Sequence, residues 1–203
     1  MVNVKGLDLF PTKIFKCKFI ATEEMTDYIK DNQKAAMHTH VSNLVKQSKN
    51  NNLQKENIFN PFVKQIYSVT KGICQIYEYE CNKIDITSMW INISAPHAAH
   101  PPHTHSNNVF SGVWYPCENI NTSDIQFFDP RPQANQLTPK RKTPNINNSG
   151  LMSFNSNKDT MYMFPAWLSH WVPPTPNKRI SISFNVILRG KYGEENTLQN
   201  ANI

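Results

Sequence analysis

Several things are scarce in this 203-residue sequence, and each scarcity excludes something. Glycine is rare, six residues against fourteen prolines, and only 18% of residues are charged. With 11% aromatics, that balance points away from a helical bundle and toward short strands joined by stiff turns. Apolar runs are short: none approaches the roughly 18–20 residues that a membrane-spanning helix needs. The opening Met1-Val2-Asn3-Val4-Lys5-Gly6 lacks the apolar stretch of a secretion signal. The four cysteines, Cys17, Cys74, Cys81 and Cys117, include no C-x-x-C pair, and thiols rather than disulfides are expected. These absences predict a cytoplasmic chain, in the host cytoplasm if it is viral. Acid is also in short supply, 15 Asp and Glu against 21 Lys and Arg, for a net charge of +6. The basic residues are scattered apart from Lys140-Arg141-Lys142, so neither a nucleic-acid nor a membrane partner is expected. A homodimer is compatible with the same composition.

What is present divides the chain into two stretches within one domain, 1–203. Residues 1–83 read as a helical buttress. Leu9-Phe10-Pro11-Thr12 and Ile14-Phe15 form an extended start, and Thr22-Glu23-Glu24 offers an N-cap with acid behind it. Tyr28, Ile29, Ala36, Met37, Val41, Leu44 and Val45 recur at loosely helical spacing, predicting a helix from Thr22 to Lys46. A polar loop follows over 47–57, then a second amphipathic helix carrying Phe62, Ile66, Val69, Ile73, Ile76 and Tyr77. From Ile84 the period becomes two: Met89, Ile91 and Ile93 alternate with Trp90, Asn92 and Ser94. Further strands are predicted at Val109–Tyr115, Ile125–Phe128, Leu151–Phe154, Thr160–Phe164, His170–Val172 and Arg179–Leu188. The irregular segment Asp129–Gly150 is long enough to be a lid, and the polar tail 191–203 is expected to be loose. Helices first and short antiparallel strands over 84–190 predict a mainly β, α+β fold: a jelly roll or related sandwich buttressed by helices.

Histidine placement carries the functional information. Of seven histidines, His97, His100, His103 and His105 crowd into Pro96-His-Ala-Ala-His-Pro-Pro-His-Thr-His105, and imidazole is a favoured ligand for Zn, Cu, Fe and Ni. On an extended segment, which Pro101 and Pro102 enforce, the i, i+2 spacing of His103 and His105 turns both side chains to one side, within reach of one ion. His38-Thr39-His40 has the same spacing inside the predicted helix, where two positions are about 200° apart, so these two are read as structural or solvent-facing. His170 is the remaining candidate for a third ligand. An isolated His beside Trp is ordinarily a packed core residue, and its neighbourhood decides the matter. Shortly after it, Ile180, Ile182, Phe184 and Val186 occupy one face of a strand while Arg179, Ser181, Ser183 and Asn185 occupy the other. Such a polar face is either half solvated or turned into a cavity, where the Arg179 fork takes a carboxylate in two hydrogen bonds and Ser181 adds a third.

Taken in order, these residues resemble the iron(II)/2-oxoglutarate-dependent oxygenases of the double-stranded β-helix fold, and within them a bacterial and phage group. The resemblance rests on Leu9-Phe10-Pro11-Thr12, Trp90-x-Asn92, His100-Pro-Pro-His103-x-His105, Ser111-Gly112-x-x-Tyr115, Asp129-Pro130-Arg131, Phe164-Pro165-x-Trp167-Leu168-x-His170 and Arg179-Ile-Ser-x-Ser-Phe-Asn185. It implies iron held by His103, His105 and His170, and the distal carboxylate of 2-oxoglutarate held by Arg179 with Ser181. Tyr115 would hydrogen-bond the cosubstrate, and Trp90, Asn92 and Asn185 would line the pocket or support it. The implied reaction consumes O2 and 2-oxoglutarate and hydroxylates a substrate that the sequence does not identify. One position departs from the common His-x-Asp/Glu…His pattern: His105 stands where the carboxylate would be, leaving the site one unit more positive. Asp124 and Asp129 are the nearest acids to the strands, and neither has the expected spacing. Metal affinity is expected to fall below the imidazole pKa of about 6.5, with His97 and His100 beside the site or at its mouth. Two alternatives use the same residues differently. A cupin-like three-histidine dioxygenase or isomerase would dispense with 2-oxoglutarate, although the Glu that cupins carry after His-x-His is missing from Ser106–Gly112. A non-catalytic basic binding module would show salt-dependent retention of nucleic acid.

Overall fold

Period-two alternation becomes antiparallel sheet, and helix-period segments lie against one face of it. The computed structural model describes residues 2–38, 43–131, 133 and 136–203. The first half holds β1 (Phe15–Lys18), α1 (Glu23–Ala35), β2 (Met37–His38), β3 (Val45–Gln47) and α2 (Asn60–Tyr77). Then come β4 (Lys83–Ser94), β5 (His100–His103), β6 (Phe110–Trp114), β7 (Ile125–Phe128), β8 (Leu151–Phe154), β9 (Thr160–Pro165), β10 (His170–Val172) and β11 (Arg179–Arg189). The chain closes with β12 (Lys191–Tyr192) and β13 (Ala201–Asn202). A large sheet runs β1-β9-β6-β11-β4-β3-β2 and a small one β5-β10-β7-β8. This is the jelly-roll arrangement, mainly β with N-terminal helices. Among the described residues no helix is long and apolar enough to cross a membrane.

The large sheet buries both faces. On one, α2 lays Phe62, Ile66 and Ile73 against Met89, Ile91, Ile182 and Phe184, with the Phe62 ring 4.5 Å from Trp114 and 5.7 Å from Phe184. Pro61 in the first turn of α2 sits where a helix has no hydrogen-bonding use for its missing N–H. On the other face, Val113, Tyr115, Tyr162 and Phe164 meet Ile125, Phe127 and Val172 of the small sheet. Gly112 lets β6 pass the Phe184 ring: a Cβ there would lie 2.1 Å from Phe184 Cζ.

The helix predicted from Thr22 is shorter than its apolar spacing suggested. Thr22 caps it, accepting from the Met25 N–H at 3.2 Å, with Glu23 and Glu24 in the first turn. It stops at Ala35, and the expected continuation becomes β2 and β3, with Met37 opposite Gln47 and Val45 opposite Ser94. Val45, Lys46 and Gln47 are too few to reveal a period, and burying Val45 against β4 decides their conformation. The helical argument separating His38 from His40 therefore fails, since His38 ends a strand and His40 lies outside the described residues. The tail expected to be loose folds back: β12 pairs with β13, and Gly190 and Ile203 exchange backbone hydrogen bonds of 3.1 and 3.0 Å. Between β7 and β8 most of the described residues of 129–150 are exposed, and the Asp129 N–H donates to Gly150 O at 2.9 Å. All four cysteines are free thiols.

Candidate active site

Strand β11 sorts its residues by parity. Even-numbered Ile180, Ile182, Phe184 and Val186 belong to the core beneath α2, so Arg179, Ser181, Ser183 and Asn185 turn toward the small sheet. Strand β4 runs antiparallel beside it with Ser94 opposite Arg179, Asn92 opposite Ser181 and Trp90 opposite Ser183. The polar face is buried, not half solvated: Arg179 and Ser181 are each 2% exposed. A cavity of ≈ 90 Å³ lies between the sheets, with Arg179 and Ser181 on one wall and His103, His105 and His170 on another.

The three histidines converge through separate backbone devices. Pairing of β5 with β10 sets His103 directly opposite His170. His105, just past β5, is held by its own N–H, which donates to Ala166 O at 2.9 Å. One ligand atom from each imidazole lies within 4.8 Å of the others, and no carboxylate joins them among the described residues. His103 Nδ1 lies 2.7 Å from Pro101 O and His170 Nδ1 2.9 Å from Leu168 O. Carbonyl oxygens only accept, so both Nδ1 atoms carry the hydrogen and both Nε2 atoms present a lone pair. His170 Nε2 in turn lies 3.3 Å from His105 Nε2. Burial pushes the His170 pKa down to about 3, with the neighbouring histidines adding to it against the Leu168 hydrogen bond. Burial and the charge of His103 push His105 down to about 4. Both are neutral at pH 7, the state a metal ligand needs. For these two, proton competition sets in well below the free-imidazole value expected from sequence. A set of converging imidazoles, with two ring nitrogens 3.3 Å apart, fits a cation such as iron(II).

Arg179 makes the opposite demand. Its Nη2 donates to Tyr115 Oη at 2.9 Å and its Nη1 reaches Ser181 Oγ at 3.4 Å, with the guanidinium carbon 5.0 Å from the Tyr115 ring centroid. Nε is buried with no partner, and among the described residues no carboxylate pairs with the group. A buried cation lacking a counter-charge is costly unless something acidic reaches it, so this wall fits the carboxylate of a small acid. Tyr115 is fully buried behind the guanidinium and does not itself line the cavity.

The remaining candidates divide. His100 lines the cavity, its Nε2 2.9 Å from Ser94 Oγ, and burial, then the charges of Arg179 and His103, lower its pKa to about 4. His97 sits exposed in a turn and does not line it. Asp129 is tied to Arg131 at 2.8 Å, and neither it nor Asp124 joins the imidazoles. Asn185 is satisfied by Ser111 and Ser88 and supports the strand pairing. Asn92 accepts from Trp90 Nε1 and Gln47 Nε2, each at 3.0 Å, and donates to Ser183 Oγ at 2.9 Å. This holds the Trp90 ring 6.5 Å from that of His105. Gln47 and Ser183 also line the cavity, and of the two only Gln47 was not singled out from the sequence. The parity of β11 marks Ser183, whereas Gln47 has no signal beyond the brief Val45-Lys46-Gln47 alternation.

Comparison with known proteins points the same way. Residues 88–185, which include all three histidines and Arg179, match the family described as "Putative 2OG-Fe(II) oxygenase". No curated protein matches the sequence. Among solved structures the chain is similar to a prolyl-4-hydroxylase from Pseudomonas putida, with a TM-score of 0.62 at 10% identity, covering 88% of this chain and 94% of that one. It is similar too to a viral collagen prolyl hydroxylase from Paramecium Bursaria Chlorella virus-1, solved with 2-oxoglutarate (TM-score 0.54, 10% identity, 85% and 94% covered). A third is HygX from Streptomyces hygroscopicus with nickel, 2-oxoglutarate and hygromycin B bound (TM-score 0.55, 7% identity, 87% and 83% covered). At such identities these likenesses speak for the fold.

Proposed function

We propose that the chain is a 2OG-Fe(II) oxygenase, the family whose model residues 88–185 match, with His103, His105 and His170 holding iron(II) and Arg179 and Ser181 holding 2-oxoglutarate. One observation carries this assignment: three converging imidazoles share a small cavity with a buried guanidinium that has no acid of its own. Iron(II) and 2-oxoglutarate, when bound, supply the oxidising chemistry, in which O2 is consumed, the 2-oxo acid becomes succinate and CO2, and a substrate C–H bond is hydroxylated.

The chain's own contribution is positioning and exclusion of water. The Nδ1–H bonds to Pro101 O and Leu168 O hold the rings of His103 and His170 with Nε2 toward the cavity. Tyr115 accepts from Nη2 and Ser181 lies by Nη1, so the unpartnered Nε–H is the donor left for the distal carboxylate. The Ser181 hydroxyl adds a donor on the same wall, while Tyr115, outside the lining, acts on the acid only through Arg179. Val113, Ile125, Phe164 and Val172 make part of the lining apolar, while His103 is exposed, so that side opens to solvent and to substrate.

Calorimetry with cobalt(II) in place of iron tests the assignment. Cobalt should bind once per chain, 2-oxoglutarate should bind tightly only after cobalt, and Arg179→Ala should abolish the second event while sparing the first. Cobalt binding with indifference to 2-oxoglutarate would favour the cupin-like alternative.

A further inference from the structure

The identity of residue 105 leaves a charge unaccounted for. Iron(II) brings two positive charges, and a ligand set with one carboxylate, completed by the C1 carboxylate of 2-oxoglutarate, cancels both. Here all three ligands proposed above are neutral imidazoles, and no Asp or Glu joins them among the described residues. The C1 carboxylate cancels one charge, and the distal carboxylate is matched to Arg179. One positive charge is left over.

The cavity does not neutralise it. Arg179 is the single charged side chain in the lining other than the histidines, and the rest of the polar wall is Gln47, Trp90, Asn92, Ser181 and Ser183. That wall still has donors to give. Ser183 Oγ accepts from Asn92 and keeps its own O–H, and Gln47 Nε2 gives one N–H to Asn92 and keeps the other. A residual charge between apolar walls attracts an anion more strongly than the same charge in water. We propose that the primary substrate is an acid that brings a single negative group, a carboxylate or an equivalent oxyanion, into the cavity beside the metal and within reach of Ser183 and Gln47. This rests on the oxygenase assignment above.

The test uses the full-length chain loaded with cobalt(II) and 2-oxoglutarate, reading the visible cobalt absorption as acetate or acetamide is added. The two probes match in shape and differ in charge. Acetate should bind at least about tenfold more tightly than acetamide, a difference of ~1.4 kcal/mol, and should do so in physiological chloride. Equal affinities overturn the proposal, and so does chloride displacing acetate, which would assign the position to a free halide. His105→Asp supplies the missing charge and should reduce the acetate preference to within about threefold while 2-oxoglutarate still binds. If that variant fails to take up cobalt, the wild-type contrast still decides. A cobalt spectrum that does not respond to 2-oxoglutarate would instead remove the oxygenase assignment itself.

Discussion

The two faces of β11 are buried to a similar degree, yet one face carries Ile180, Ile182, Phe184 and Val186 under α2 and the other carries Arg179, Ser181 and Ser183 into the cavity, with Asn185 beyond them. The apolar face is complete as it stands, because every group there has packing partners. The polar face is incomplete, with a guanidinium nitrogen lacking an acceptor, and it looks across the cavity at three converging imidazoles on and beside β5 and β10. Burial without satisfaction costs stability, so the contrast locates what the fold keeps for a ligand. One strand thus carries a packed apolar face on one side and, on the other, the buried guanidinium proposed to take the acid.

That contrast can be broken by substitution on either face. The largest expected effect is on the apolar side: Phe184→Ala should lower unfolding stability by about 3–5 kcal/mol, read by denaturant titration, with 2-oxoglutarate affinity of the folded fraction little changed. Next, Arg179→Met should weaken 2-oxoglutarate binding at least about a hundredfold, ~2.7 kcal/mol. The thermal midpoint of the metal-free protein should hold or rise, since an unpaired buried cation is removed. A large fall in that midpoint would show that Arg179 belongs to the structural face after all.

Acid should act on this comparison through the histidines of the cavity. His100, His105 and His170 have folded pKa values of about 4, about 4 and about 3, below the unfolded value of about 6.5. Between these limits the unfolded chain holds protons that the folded chain refuses. Their contribution to stability is therefore intact above about pH 6.5 and is lost as pH falls toward 4, by at most ~1.4 kcal/mol per pH unit for each histidine. His100→Gln, which removes one of these protons and no proposed metal ligand, should flatten the dependence of the thermal midpoint on pH in that window. The smallest effect is expected far from both faces: Thr22→Ala removes the α1 cap and should cost about 1 kcal/mol with no change in 2-oxoglutarate affinity.

Much of this division is legible in the residues themselves. Parity along Arg179–Val186 and Met89–Ser94 shows which side chains share a face, and two prolines before His103 show an extended approach. Parity does not say which face looks inward, and that awaited α2 packing on Ile182 and Phe184. The convergence of His103 with His170 depends on β5–β10 pairing across 66 intervening positions, which no local pattern encodes. Short elements misled most: Met37, Leu44 and Val45 fit a helical period by chance, and three-residue β3 is set by its neighbour β4. Gln47 reached the cavity by that same pairing and so looked like the start of a polar loop.

The most direct measurement is anaerobic reconstitution with iron(II) and 2-oxoglutarate, followed by visible absorption. If the three imidazoles hold the metal and Arg179 holds the acid, a metal-to-cosubstrate charge-transfer band should appear in the wild type and be lost from both His170→Ala and Arg179→Met. A wild type that takes up iron but shows no band, or a band untouched by either substitution, would contradict the site described above.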